Sequence, residues 1–189
     1  MSSFTVVFDA NVLYPAPLRD LLVRLAATDL FRARWTDRIH DEWMRNVLKD
    51  RSDIKPAQLE RTRELMDKYC HDCLVIDYES LIGQITLPDE DDRHVLAAAI
   101  RCGADAIITR NLKDFPKAEL SKHGIEAIHP DDFVINNIDL NIAKVLEAVR
   151  KQRASLKNPP IDVDAFLDIL LKQGLPQTVE ILKDYKRAI

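Results

Sequence analysis

Cysteine is scarce. Three in 189 residues, an odd count, give no disulfide framework, and a reducing cytoplasm is the expected setting. Four glycines are too few to suggest a P-loop or a dinucleotide fingerprint, which argues against phosphate held in a backbone cradle. No apolar run approaches the ~20 residues of a membrane span, so no membrane association is expected. The opening MSSFTVVFDANV lacks the basic region and cleavage site of a secretory leader. Internal repeats and low-complexity tracts are missing too. What is there is 47% apolar and 31% charged, enough to bury a sizeable core and a poor match to disorder. A net charge of -4 argues against a non-specific nucleic-acid binder, although Arg19, Arg24, Arg32, Arg34, Arg38 and Arg45 supply a basic rim early in the chain.

The reading frame for the chain is LPDEDDRHVLAAAIRCGADAIITRNLKDF, residues 87–115. Asp89, Glu90, Asp91 and Asp92 precede a helical run in which Val95, Leu96, Ala99 and Ile100 recur at three- and four-residue steps. Gly103 ends the run. Ala106, Ile107 and Ile108 then suit a strand buried on both faces, leading straight into Thr109, Arg110, Asn111 and Asp114. Phe4 to Phe8 reads as a first buried strand, ending abruptly in Asp9. A carboxylate there is costly unless paired or coordinated, although Asp is also a good helix cap.

Between these lie a helix over 18–30, a second strand over 31–35, and a helix capped by Thr36 or Asp37. On the last of these, Glu42 stands about 60° from Ile39, at the edge of the apolar stripe. Pro56 fits the first turn of another helix, and Leu74, Val75 and Ile76 read as a strand. Cys70 and Cys73 flank His71 and Asp72, but Cys102 is the only other cysteine, too few for a structural zinc site. A last short strand falls at 125–128, followed by a turn that opens a helix. The alternation predicts a parallel sheet of about five strands with helices on both faces. From Asn136 no strand candidates remain. Residues 138–157 read as one amphipathic helix, Asp162 caps a second over 163–172, and Pro176 starts a third. The expected division is residues 1–135 and a helical extension, 136–189, too small to stand easily alone.

Asp9, Glu42, Asp92 and Asp114 fall in four elements whose ends a parallel sheet could bring together, where ligand chemistry gathers at carboxyl edges. Hard oxygen donors suit Mg²⁺ or Mn²⁺, which can polarise a water against a phosphodiester. FDANVLYPAPLRD, the Glu42 helix and the 87–115 stretch, in that order, resemble a PIN-domain ribonuclease, nearest to the VapC toxins of bacterial toxin–antitoxin pairs.

The resemblance covers residues 1–135. It implies a three-layer α/β/α fold, RNA cleavage, a Mg²⁺ or Mn²⁺ site, a cognate antitoxin and a homodimer in the cytoplasm. By motif, Asp9 matches the acid ending the first strand, Glu42 that of the following helix, and Asp114 that of the TRNLKDF segment. Asp92 matches the acid eleven residues before Gly103, with Asp91 as its neighbour and second choice. Thr109 and Asn111 are expected to position ligands or water, with Asn11 in support. Asn111 stands where many of the family carry an acid, which leaves one or two metals open. The tail resembles the extension of larger PIN toxins.

Two other readings compete. FDANV is similar to the DxD loop of haloacid-dehalogenase-type phosphatases, but the second acid is Asn11 and PDEDD has no place there. A catalytically inactive RNA-binding or scaffolding PIN domain would be expected to lack one or more acids, and all four are present.

Overall fold

The computed structural model describes residues 4–189; the first three, part of the stretch read for a leader, lie outside it. Strand β1 (Thr5–Phe8) leads into α1 (Ala10–Leu13) and α2 (Ala16–Ala26), then β2 (Arg32–Arg34), α3 (Asp37–Asp50) and α4 (Pro56–Tyr69). Next come α5 (Glu79–Ile82), α6 (Arg93–Cys102), β3 (Ala106–Ile108), a 3₁₀ turn (Leu112–Asp114) and α7 (Lys117–Leu120). After a second 3₁₀ turn (Ser121–His123), β4 (Glu126–Ile128) is followed by α8 (Pro130–Ser155), α9 (Val163–Lys172) and α10 (Pro176–Lys183).

All strands pair in parallel in the order β2-β1-β3-β4. Successive strand residues point to opposite faces, and every residue of β1 and β3 is buried, so the sheet is covered on both sides. This is the expected layered α/β arrangement, with four strands instead of about five. The strand expected over 74–76 makes a single parallel bridge, Trp35 to Leu74. There Trp35 N donates to Cys73 O at 2.9 Å and Val75 N to Trp35 O at 2.8 Å. Asp72 and Asp77 take left-handed backbone, φ 58° and 60°, on either side of this segment, turning the chain before a longer ladder can form.

The core is aromatic where β1, β2 and α8 meet. Phe8 stacks on Trp35 with centroids 6.2 Å apart, and Phe133 meets Phe31 edge-on at 4.7 Å. Local signals set several helix ends: the Thr36 side chain accepts from Ile39 N, Asp162 from Ala165 N, and Gly103 closes α6 at φ 61°. The tail departs from the single helix expected over 138–157. Helix α8 begins at Pro130, and Asn141 is non-helical (φ -163°, ψ 88°), with its Oδ1 accepting from Lys144 N at 3.1 Å. Asn141 therefore caps a second segment and turns it. The expected division at 135/136 falls within the first segment.

The helical extension is tied to the body by buried polar contacts. Asp131, 2% exposed, accepts from the backbone N–H of Gln177 and Thr178, both at 2.9 Å, and so caps α10 from α8. Gln152 donates to Pro17 O at 2.7 Å and Lys144 to Thr28 O at 2.6 Å, docking α8 onto the segment around α2.

A second buried network fixes α3 against α4. Trp43 Nε1–H donates to His40 Nδ1 at 2.9 Å, so the other ring nitrogen carries the proton toward Asp67 Oδ1 at 3.0 Å. Trp35 Nε1–H donates to the same oxygen at 2.8 Å, and the Arg19 guanidinium lies 4.4 Å over the Trp43 ring. Burial lowers the His40 pKa from its ordinary 6.5, outweighing the Asp67 carboxylate that favours the cation. The folded protein therefore keeps His40 neutral where the unfolded chain takes up a proton, and stability falls as pH drops below 6.5. Urea unfolding from pH 7 to pH 5 should show a loss of up to about 1.4 kcal/mol per pH unit beyond that of His40→Gln. Parallel pH profiles for the two proteins would count against a buried neutral imidazole.

Candidate functional site

The two central strands deliver the first part of the site. Asp9 follows β1 and Thr109 follows β3, neighbours across a parallel ladder, so their side chains meet at the carboxyl edge. Thr109 Oγ1 donates to Asp9 Oδ2 at 2.8 Å and accepts from Asn11 Nδ2 at 2.9 Å and from Asn111 N at 3.0 Å. Asn11 Nδ2 also donates to Asp9 Oδ2 at 2.5 Å, while Asn11 Oδ1 accepts from Arg110 N at 3.0 Å. The Asn111 amide then hydrogen-bonds Asp114 Oδ2. One continuous network thus joins the acid after β1 to the acid of the 3₁₀ turn after β3. The three side chains expected to support the acids, Asn11, Thr109 and Asn111, are its links.

The second part comes from the loop before α6. Asp92 holds the N-cap position of α6 without a capping bond from its side chain, which is left free to face the other acids. Asp89, Asp92 and Asp114 each place an oxygen so that all lie within 4.8 Å of one another. In an octahedral Mg²⁺ shell adjacent oxygens stand about 3 Å apart and opposite ones about 4.2 Å, so the three carboxylates would close inward on such an ion. Among the described residues this is the one cluster of three or more potential ligands, and it is made wholly of hard oxygen donors. Cys70 and Cys73 are buried instead, their thiols pushed up to about 12 by desolvation, which makes them poor ligands.

Asp89 was not among the acids singled out from the sequence; its only signal was membership of the PDEDD run. Asp91, the second choice there, is exposed and takes no part in the cluster, its backbone N–H donating to Asp89 Oδ1 at 2.9 Å. Glu42 stands apart from the three but within electrostatic reach, raising the pKa of both Asp9 and Asp92. Its Oε1 lies 3.5 Å from Arg38 Nε and 2.9 Å from His94 Nε2.

Burial is the main force on both central acids. It raises the Asp9 pKa above 3.8 despite hydrogen bonds from Thr109 and the backbone that favour the anion. Asp92 is pushed up to about 7 by desolvation, then by repulsion from Asp9, Asp89, Asp114 and Glu42. Five carboxylates thus share a field that a divalent cation would relieve. A cavity of about 560 Å³ lies elsewhere, between α2, α4, α8 and α9, and its walls include Val23, Leu65, Tyr69, Phe166 and Ile169. Its lining is chiefly apolar and includes none of these acids, so the chemistry belongs at the sheet edge.

A parallel sheet with this acid edge is the arrangement of a PIN domain, and the chain belongs to the PIN-domain family: residues 5–113 match the family profile. Residues 130–184 match a second profile, described as the VapC50 C-terminal domain. Over 86 residues the chain is 41% identical to "Putative ribonuclease VapC50" of Mycobacterium tuberculosis (strain ATCC 25618 / H37Rv), an alignment covering 46% of this chain and 50% of that protein. The chain thus spans about half the length of the curated relative it matches. It is also similar to a chain in the crystal structure of VapBC2 from Rickettsia felis bound to a DNA fragment from their promoter. That likeness has 14% identity and a TM-score of 0.46, covering 67% of this chain and 98% of that one.

The raised pKa of Asp92 has a consequence for the metal-free protein. Between about pH 4 and 7 the folded state holds a proton that the unfolded chain gives up, so stability falls as pH rises through this window. In EDTA at pH 8, Asp92→Asn should be more stable than the wild type by roughly 1–2 kcal/mol, allowing for solvent screening. At pH 4 the two should coincide. A variant that melts lower than the wild type at pH 8 would refute the repulsion.

Proposed function

We propose that the protein is a metal-dependent endoribonuclease that hydrolyses RNA phosphodiester bonds with Mg²⁺ or Mn²⁺. The observation that carries this reading is the meeting of Asp89, Asp92 and Asp114, with Asp9 and Glu42 within electrostatic reach of Asp92. The donor set, all carboxylate oxygen, suits a hard divalent cation. Asp92 and Asp114 would hold the ion, with Asp89 from the neighbouring loop and Asp9 and Glu42 completing the acid ring. Bound there, such an ion lowers the pKa of a water and neutralises charge growing on a leaving oxygen.

The chain's own contribution is orientation. Thr109 and Asn11 fix the Asp9 carboxylate, and Asn111 fixes Asp114. Raised basicity at Asp92 suits a group that must be neutral or compensated when empty and anionic when loaded. RNA as the substrate, and control by a cognate antitoxin as the toxin of a type II pair, are supported by the family membership and by the name of the 41% identical relative. The matched C-terminal profile points the same way, and a homodimer is the family expectation.

Asp9→Asn and Asp92→Asn should each lower RNA cleavage in Mn²⁺ by at least about 100-fold, the scale on which one preorganised charge-stabilising group acts. Both variants should stay folded by circular dichroism. Wild-type cleavage in both would remove the nuclease reading. Wild-type protein that binds RNA without cutting it, and takes up no Mn²⁺, would favour the inactive scaffold instead.

A further inference from the structure

Beside the acid ring lies a histidine that the sequence motifs left unassigned. His94 sits on α6, two residues beyond Asp92, and is 1% exposed. Both ring nitrogens are shielded from solvent and neither has a hydrogen-bond partner. Nε2 nevertheless comes within 2.9 Å of Glu42 Oε1. The distance is that of a hydrogen bond and the direction is not, so rotation of a side chain, with no approach, would complete the bond. An unpaired imidazole in a core is costly, and a leucine or phenylalanine would fill the space without that cost. The alternative neighbour of Glu42, Arg38, is 3.5 Å away and 45% exposed at its side chain, a weak and screened hold.

The geometry points to His94 as the positioning residue for Glu42: its Nε2–H, directed at Oε1, holds that carboxylate beside Asp92 and Asp9. The inference rests on the nuclease reading insofar as Glu42 belongs to the site. Three features of the structure support it together. His94 and Asp92 share one turn of α6, so the ring and the acid move as a unit. Glu42 comes from α3, the element that the His40–Asp67 network clamps, so its backbone is fixed independently. The remaining freedom is in the Glu42 side chain, and His94 is the buried polar group placed to restrict it. Partners that orient ligating groups usually matter by 10–100-fold in metal affinity or rate.

The test uses His94→Leu, which removes the donor, and His94→Gln, which keeps one, each with and without Glu42→Ala. His94→Leu should stay folded and melt close to the wild-type temperature, because the apolar side chain fills the buried space as the contact with Glu42 is lost. It should lose about tenfold in Mn²⁺ affinity by titration and in kcat, with KM for RNA little changed. His94→Gln should recover part of both. Adding Glu42→Ala to His94→Leu should cost nothing beyond Glu42→Ala alone. Wild-type Mn²⁺ affinity in His94→Leu, or losses that multiply in the double variant, would overturn the assignment.

Ring ¹⁵N shifts of His94 give a readout that needs neither cleavage nor a stable His94 variant. The wild type should show the Nε2–H tautomer, and Glu42→Ala should shift the balance toward Nδ1–H. A wild-type ring protonated at Nδ1 would overturn the contact. Wild-type protein that neither binds Mn²⁺ nor cuts RNA would fell the nuclease reading, while the ring shifts still decide the His94 contact.

Discussion

Mutual repulsion among carboxylates is the constraint on which the rest of this structure depends. Burial and the charges of Asp9, Asp89, Asp114 and Glu42 raise the proton affinity of Asp92, and burial and Glu42 raise that of Asp9. Left alone, such groups would move apart into water. Three of them are attached to something stiff: Asp9 to the end of a fully buried strand, Asp92 to the start of a buried helix, Glu42 to a helix clamped from behind. The fold stores an electrostatic cost at one edge and offsets it with an apolar core. Strained, like-charged sites of this type are where function concentrates.

The neutral hydrogen-bond network around Thr109 is as important as the acids. A single hydroxyl receives two N–H groups and donates to Asp9, so the strand end, the Asn11 turn and the segment leading to Asp114 share one reference point. Directional bonds in a buried setting set positions to fractions of an ångström, which attraction to an ion alone does not. Asn111 gives its amide to Asp114 and so orients that carboxylate.

The helical extension is part of the same body. Asp131 caps α10 across a buried interface, and Gln152 and Lys144 bind carbonyls around α2. Arg110, whose own N–H bonds Asn11, donates from its guanidinium to Gln173 O at 2.6 Å. The residue beside Thr109 therefore touches both the acid network and the tail. The matched profile over 130–184 likewise includes the whole first segment of α8, which packs Phe133 into the core of the sheet.

The sequence by itself determined whatever depends on neighbours along the chain. Buried β-branched runs announced β1 and β3, Thr36 and Asp162 announced helix starts, and Gly103 announced an end, because periodicity and capping are written within a few residues. The family motifs singled out Asp9, Glu42, Asp92 and Asp114, and carried Asn11, Thr109 and Asn111 with them. Only the tertiary structure decided which other acid of PDEDD joins Asp92 and Asp114, since Asp89 and Asp91 are indistinguishable in a run of carboxylates until the loop's path is set. It also decided that 74–76 pairs through one bridge, that Asn141 breaks α8, and that His94 faces Glu42. The bridge at 74–76 and the His94–Glu42 contact depend on what stands opposite in space, and no spacing along the chain encodes a partner in a distant element.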